Sequence, residues 1–266
     1  MKIVVCVKQV AALDDEFELR EDGLGVDPDS LERDLNEWDS FSLEAALQLR
    51  EQVGGDGHEV VAVTVGDEEA EDALLGCLAR GADRAVRVWD EDVLARGDVL
   101  VTARALAAAV SREEPDLVLC GVQSSDAVNG ATGTAVAGLL GLPRVAVVKQ
   151  LEFDSAAGTV TVARELEGGL VERLRIALPA LLTIQTGINE PGYATLRAIK
   201  QAREKPLEAL EPSDLGLDPG ELERVAGARL EAMAPPERGA GAEMLEGSPA
   251  EQANRILELV RERVTS

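Results

Sequence analysis

The chain has 266 residues, enough for one large domain or a domain with extensions, and it can bury a sizeable core. Hydrophobic residues make up 45% of it and aromatics only 2%, so the core must be built from Val, Leu, Ile and Ala, a composition that suits helices packed on a buried parallel sheet. A formal charge of -24 argues against nucleic-acid binding, which needs Lys and Arg to neutralise phosphates, and against docking on anionic membranes.

The three cysteines, Cys6, Cys77 and Cys120, form no CxxC pair, and Cys6 and Cys120 each sit in an apolar run, the pattern of buried thiols in a reducing compartment. The single histidine, His58, reads as an ordinary loop residue. His-rich zinc sites, Ser-His-Asp triads and HxGH chemistry all need histidines that this chain lacks, so no catalytic or metal site is expected. No apolar stretch reaches the ~20 residues of a membrane helix, and Met1–Val7 lacks the form of a signal peptide. A cytoplasmic protein without membrane insertion is expected.

In chain order, Ile3 to Val7 is a short apolar strand, followed by a Gly- and Asp-rich stretch from Asp14 to about Ser30. Asp39-Ser40 reads as the cap of a helix whose face is traced by Phe41, Leu43, Ala46 and Leu47. Val60 to Thr64 is the second core strand, Glu68 to Arg80 a helix stopped by Gly81, and Ala85 to Trp89 a further strand. Asp98 caps a helix carrying Val99, Ala103, Leu106 and Val110, and Asp116 to Cys120 is again a buried strand. An Ala- and Gly-rich helix then runs to about Gly141. The alternation predicts a doubly wound, mostly parallel α/β sheet with right-handed crossovers.

After Pro143 the pattern becomes antiparallel. Val145–Phe153, Thr159–Glu165 and Val171–Ile176 are separated by hairpin signals, and Leu178 to Thr183 returns to a buried strand. From about Thr186 the chain ceases to resemble a self-contained globule. Leu196 to Ala202 is a short helix, a Pro-punctuated arm runs to Gly247, and Ser248-Pro249-Ala250-Glu251 is a capping box opening a terminal amphipathic helix. That helix either packs on its own domain or clasps a partner. The expected organisation is therefore a nucleotide-binding domain over 1–185, a recognition loop and arm over 186–247, and a helix over 248–266.

The loop after Cys120, Gly121 to Gly133, lies where doubly wound sheets bind ligands, outside the carboxyl ends of strands. It opens a helix, whose free N–H groups and dipole make a phosphate seat, with Ser125 and Thr132 as hydroxyl donors and Gly130 and Gly133 permitting close approach. Neither GxGxxG nor GxxxxGK[ST] is present. Val5 to Lys8 and Asn36 to Asp39 are expected to line the same cleft. Asp126 has no visible partner, and Trp38 lies where a flat ring covers a cofactor or a subunit contact.

Val162-Ala163-Arg164-Glu165-Leu166-Glu167-Gly168-Gly169-Leu170-Val171-Glu172-Arg173-Leu174, followed by Pro179-Ala180-Leu181-Leu182-Thr183, resembles the signature of electron transfer flavoprotein beta subunits. Val5 to Val10, Gly81 to Arg84, Asp116 to Asp126, Asn189-Glu190-Pro191 and Tyr193 to Leu196 agree, so the similarity spans about residues 1–217. The resemblance implies pairing with an alpha subunit that holds the redox-active FAD. It also implies electron transfer from acyl-CoA and related dehydrogenases to an electron transfer flavoprotein-quinone oxidoreductase, and a structural AMP, or in bifurcating members a second FAD, in this subunit. Carried over residue by residue, the nucleotide contacts fall on Cys6, on Asn36, Glu37, Trp38 and Asp39, and on Val65. The rest fall on Gly121, Val122, Gln123, Ser124, Ser125, Asp126, Asn129, Gly130, Ala131 and Thr132. Glu165 faces the mobile flavin domain of the alpha subunit, and Tyr193 and Leu196 fall in the partner-binding tip. Val122 stands where AMP-type members carry Lys, and of an aromatic pair beside the flavin only Trp38 is present, with Leu13 near the other place. Thr132-Gly133 is closer to AMP-type than to bifurcating members. A stand-alone universal-stress-like adenine-nucleotide-binding protein shares the sheet and the loop, but has no need of the hairpin section or the tail.

Overall fold

A computed structural model of the chain describes residues 1–12, 18–27, 31–235, 241–242 and 244–264. Leu13 and parts of the Asp14–Ser30 stretch lie outside the described residues. The described chain forms two compact units, Met1–Ala232 and Met233–Ser266.

The first unit begins with β1 (Lys2–Cys6), β2 (Gln9–Ala12), β3 (Glu32–Leu35), α1 (Glu37–Val53), β4 (Glu59–Val65) and α2 (Ala70–Arg80). It continues with β5 (Arg84–Val88), α3 (Val99–Glu113), β6 (Leu117–Gly121), α4 (Thr132–Leu140), β7 (Arg144–Asp154), β8 (Thr159–Glu165) and β9 (Val171–Ala177). It ends with β10 (Ala180–Ile184), α5 (Leu196–Ala202), β11 (Leu207–Leu210) and α6 (Pro219–Arg224). Among the described residues one nine-stranded sheet runs β11-β5-β4-β1-β6-β10-β7-β8-β9. All its pairings are parallel except β7 with β8 and β8 with β9, so the doubly wound α/β architecture and its antiparallel extension are as the sequence predicts.

The strand alternation sorts the core onto two faces. From β1, Ile3, Val5 and Val7 join Leu43 and Leu47 of α1 and Leu74 and Leu78 of α2. Val4 and Cys6 face the other way, against Val101, Leu106 and Val110 of α3, Val136 and Ala137 of α4, and Leu222 of α6. This period-two division is why β1 is apolar from Ile3 to Cys6: a central strand covered on both faces has no solvent side there.

Three local features differ from the sequence expectations. The N-cap of α1 is Asn36, not Asp39-Ser40; Asp39 lies inside the first turn and is 4% exposed, because its carboxylate has strand-end partners elsewhere. Residues just after β1 form β2, which pairs antiparallel with β3. The Glu-Arg-Asp-Leu of β3 contains no apolar block, so its pairing comes from where the chain returns. Finally, Leu207–Leu210 forms a parallel edge strand beside β5, and α6 buries Leu222 in the α3–α4 core. The polar stretch after Thr186 thus contributes a strand and a helix to the first unit.

In the second unit α7 spans Pro249–Val264 and starts with the predicted capping box. The Ser248 backbone N–H donates to Glu251 Oε2 at 2.7 Å, and the Glu251 N–H returns to Ser248 Oγ at 3.4 Å. None of its residues is buried, and Ile256, Leu257, Val260 and Val264 are exposed. No helix among the described residues is long and apolar enough to cross a membrane.

Leu222 is only 2% exposed. Leu222→Ala is expected to lower the free energy of unfolding by about 2–5 kcal/mol in urea titrations, the range for truncating a buried leucine. A loss under about 1 kcal/mol would make α6 peripheral to the core.

Candidate functional site

The sheet order reverses at β1: the chain passes from β1 to β4 and β5 on one side, and reaches β6 and β10 on the other. Loops therefore part at the carboxyl ends of β1 and β6, the place where such sheets bind ligands. A cavity of about 340 Å³ lies there.

The first turn of α1 builds its floor. Asp39 Oδ2 accepts the Lys8 N–H at 2.8 Å just beyond β1, and Asp39 Oδ1 accepts the Gly121 N–H at 2.9 Å at the end of β6. Gly121 is required here, since a Cβ at that position would lie 2.5 Å from Asp39 Oδ1 and 2.6 Å from Trp38 Cβ. Asn36 ties the same turn to the following loop: its Nδ2 donates to the Gln123 carbonyl at 2.9 Å and its Oδ1 accepts the Ser125 N–H at 3.2 Å. Burial pushes the Asp39 carboxyl up to about 7, against the lowering effect of the Lys8 N–H, Asn36 and the Gly121 N–H.

At the mouth, Lys8 Nζ sits 2.6 and 2.7 Å from the two carboxylate oxygens of Asp126 and 3.4 Å from Ser124 Oγ. Burial alone would raise the Asp126 carboxyl, but the hydrogen bonds from Lys8 and Ser124 and the charge of Lys8 outweigh it and hold the group below its ordinary value. The loop itself has a strained backbone: Val128, a β-branched residue, has a φ of 51° and exposes its side chain.

Two helix N-termini meet the cavity and differ in kind. Asp98 caps α3, accepting the N–H groups of Leu100 and Val101, and its other oxygen holds the N–H groups of Gly227 and Ala228. No side chain caps α4, whose N-cap is Ala131, and Ala131, Thr132 and Gly133 all line the cavity. The first N–H groups of a helix have no partner within it, so the α4 end leaves its N–H groups open to an anion while the α3 end is closed by a carboxylate. Gly133 packs so tightly that a Cβ would fall 2.9 Å from Cys120 Sγ and 2.8 Å from Thr183 Cγ2. Val65, Trp89, Leu94 and Leu106 supply the apolar part of the lining.

Of the residues singled out from the sequence, Cys6, Asn36, Asp39 and Val65 line the cavity, as do Gly121, Val122, Gln123 and Ser124 and, further along, Asn129, Gly130, Ala131 and Thr132. Glu37, Trp38, Ser125 and Asp126 are not in its lining. Asp126 and Ser125 act through Lys8 and Asn36, and Glu37 is exposed. Trp38 is half-buried, with its Nε1 donating to Gln185 Oε1 at 2.8 Å. The sequence reading missed the α3 side, including Trp89, Leu94, Asp98 and Thr102. The Asp98 cap was legible, but that it opens on this cleft depends on how α3 crosses from β5 to β6. His58 accepts from the amino terminus at 2.6 Å and lies away from the cavity lining. No cluster of three or more His, Cys, Asp or Glu suited to a metal occurs among the described residues.

A second exposed feature is built on the other side of α1. Asn189 Nδ2 donates to the Phe41 carbonyl at 3.0 Å, Arg80 Nε to the Gly192 carbonyl at 2.9 Å, and the Gly192 N–H to Glu44 Oε2 at 3.1 Å. The loop so anchored presents Tyr193 at 98% exposure and Leu196, the first residue of α5, at 82%. Glu165 ends β8, exposed, with Lys149 Nζ 2.9 Å from its carboxylate.

Comparison with known proteins gives a consistent result. The electron transfer flavoprotein domain family matches residues 23–215. The chain is 46% identical to the electron transfer flavoprotein subunit beta of Methylophilus methylotrophus over 98% of each chain. It is 38% identical to the subunit of that name from Bacillus subtilis over 89% of each chain. Against the one from Homo sapiens it is 35% identical, covering 82% of this chain and 84% of the relative.

The Asp39 carboxyl gives a pH test. An unfolded aspartate releases its proton near pH 4 and the folded one near pH 7, so the folded state binds more protons between them. The contribution of this group is greatest below pH 4, is lost as pH rises to 7, and is constant above. Asp39→Asn removes that slope, so the stability of the wild type relative to the variant is expected to fall by on the order of 4 kcal/mol between pH 4 and 7. Parallel stability curves across that range would mean an ordinary, ionised Asp39.

Proposed function

The chain belongs to the electron transfer flavoprotein beta-subunit family, and from that membership we propose that it works in the cytoplasm as one half of a heterodimer, binding a structural AMP while an alpha subunit holds the redox-active FAD. It is an electron-carrier subunit, and we assign no catalytic residue to it. The dimer accepts electrons from acyl-CoA or related dehydrogenases and passes them to a quinone oxidoreductase. The redox chemistry is that of the flavin when bound; this chain binds, walls and positions.

The observation that carries the nucleotide assignment is the pairing of an uncapped helix start with an apolar wall across one cavity. The phosphate goes to the N–H groups of Thr132 and Gly133 with the Thr132 hydroxyl, and the base to the side lined by Cys6, Val65 and Leu106. A volume of about 340 Å³ sits at the small end of ligand pockets, which span ~300–1,000 Å³, and suits a mononucleotide better than a dinucleotide. With Val122 at the position after the loop glycine, no Lys reaches the phosphate from there, and the seat relies on backbone donors. Gln123, Ser124, Asn129 and Gly130 shape the loop around it, and Asn36 and Asp39 hold that loop to the sheet.

Tyr193 and Leu196 form the tip that enters the dehydrogenase, as their near-complete exposure on an anchored loop supports. Glu165 and Trp38 face the flavin-bearing part of the alpha subunit, and the apolar stripe of α7 clasps that subunit. A stand-alone nucleotide sensor with the same sheet would leave the anchored apolar tip and the exposed stripe of α7 without a purpose.

Co-expression with the cognate alpha subunit is expected to give a yellow 1:1 heterodimer. Mass spectrometry of the nucleotides it releases on heating is expected to find AMP and FAD in equal amounts. FAD at two per dimer with no AMP would move this chain to the bifurcating class. Leu196→Ala is expected to slow electron acceptance from the dehydrogenase by about tenfold or more, the loss of a small apolar hot spot, with flavin content unchanged. Loss of flavin in that variant would make the loop structural.

A further inference from the structure

Cys6 and Cys120 lie at or next to the carboxyl ends of neighbouring parallel strands and are direct register partners in β1 and β6. Their side chains share one face of the sheet, both line the cavity, and both are free thiols. Adjacent strands lie about 4.8 Å apart, inside the ~4.4–6.8 Å range of Cα separations that a disulfide spans. The neighbouring Cys6 side chain, together with burial, pushes the Cys120 thiol well above its ordinary value.

The ordinary reading of a buried cysteine is a small apolar filler, and Cys77 fits it. Cys77 is fully buried on the opposite face with α1 and α2, and burial pushes its thiol up to about 12. Cys6 and Cys120 differ because each has a second thiol beside it and a cavity in front. Cys120 Sγ also lies directly beneath Gly133 in the first turn of α4, so moving that sulfur alters the floor under the anion seat.

We propose that Cys6 and Cys120 are a redox modification site, closing to an intrachain disulfide when a small disulfide or another two-electron thiol oxidant enters the cavity. Cys6, as thiolate, attacks one sulfur of the small disulfide, forming a mixed disulfide and expelling one small thiol. Cys120, losing its proton, attacks Cys6 Sγ and expels the second. The two protein thiols lose two protons and two electrons, which leave as the two small thiols. Closure draws Cys120 Sγ from α4 toward β1 and reshapes the nucleotide floor. Closure itself is independent of what the cavity binds; only the protection described next rests on the AMP assignment.

The test uses the full chain, freed of nucleotide by dialysis against a chaotropic salt, with removal checked by absorbance. After treatment with the small disulfide 2-hydroxyethyl disulfide, the chain is unfolded and alkylated. One alkylatable thiol is expected instead of three, together with a mass loss of 2 Da and a peptide joining Cys6 to Cys120, all reversed by dithiothreitol. Cys6→Ser and Cys120→Ser are each expected to form no intrachain bridge. Three alkylatable thiols in the oxidised nucleotide-free chain, or a bridge through Cys77, would overturn the proposal. Saturating AMP is expected to slow closure by about tenfold or more, as occupancy of the cavity shields the pair. Closure at an unchanged rate with AMP present would uphold the dithiol site and count against the nucleotide assignment alone.

Discussion

The site depends on one buried carboxylate. Asp39 sits inside the first turn of α1 and accepts N–H groups from the two strands that diverge beneath it. At the ends of β1 and β6 these N–H groups have left the sheet ladder and need acceptors, since an unpaired buried donor costs ~1–3 kcal/mol. One side chain satisfies both, and so ties the ends of the two strands to the first turn of α1. Asn36, one turn earlier, does the same for the loop after β6 through Gln123 and Ser125. The cleft is thereby shaped by α1, an element that follows the segment after β1 and precedes the loop after β6 in the chain. The arrangement leaves Asp39 with a carboxyl raised to about 7, the consequence of putting a charge where water is excluded.

A chain with 50 acidic and 26 basic residues is poorly suited to the anionic ligand proposed for it, and the geometry offers backbone donors instead. The nearest side-chain cation, Lys8, is already engaged by Asp126 and organises the loop. For the proposed phosphate, the complementary charge is that of the start of α4, where no side chain competes for the N–H groups. The other helix start at the cavity has the opposite fate. Asp98 occupies it and binds the N–H groups of Gly227 and Ala228, so the chain leaving α6 is tied beside the cavity. One helix start is left uncapped and the other serves the fold.

The contact tip follows a similar logic. Tyr193 and Leu196 are among the most exposed large apolar residues, yet the loop that carries them is tied to α1 and α2 by three separate hydrogen bonds. Holding the loop in advance lowers the ordering cost that a partner would otherwise have to offset. Rigid support under exposed apolar side chains is the physical form that suits the proposed recognition role, in contrast to a merely floppy loop.

The sequence by itself determined the architecture and most of the cleft. Apolar blocks at Val4, Val60, Val86 and Val118 alternating with helical spacing leave a doubly wound sheet as the natural solution, because period two and period 3.6 cannot be exchanged. The hairpin signals at Asp154–Gly158 and Gly168-Gly169 set the antiparallel extension, and the loop after Cys120 marked one wall of the site. What only the tertiary structure decided were relations between distant polar groups. Asp39 reads as a helix cap because capping is a local role for aspartate, and nothing nearby in sequence announces the N–H groups of Lys8 and Gly121. The pairing of β3, the edge position of β11 and the α3 wall of the cavity were hidden for the same reason. Charged or short segments carry no periodic signal, and their places follow from which backbone or apolar surface the folded chain brings to them.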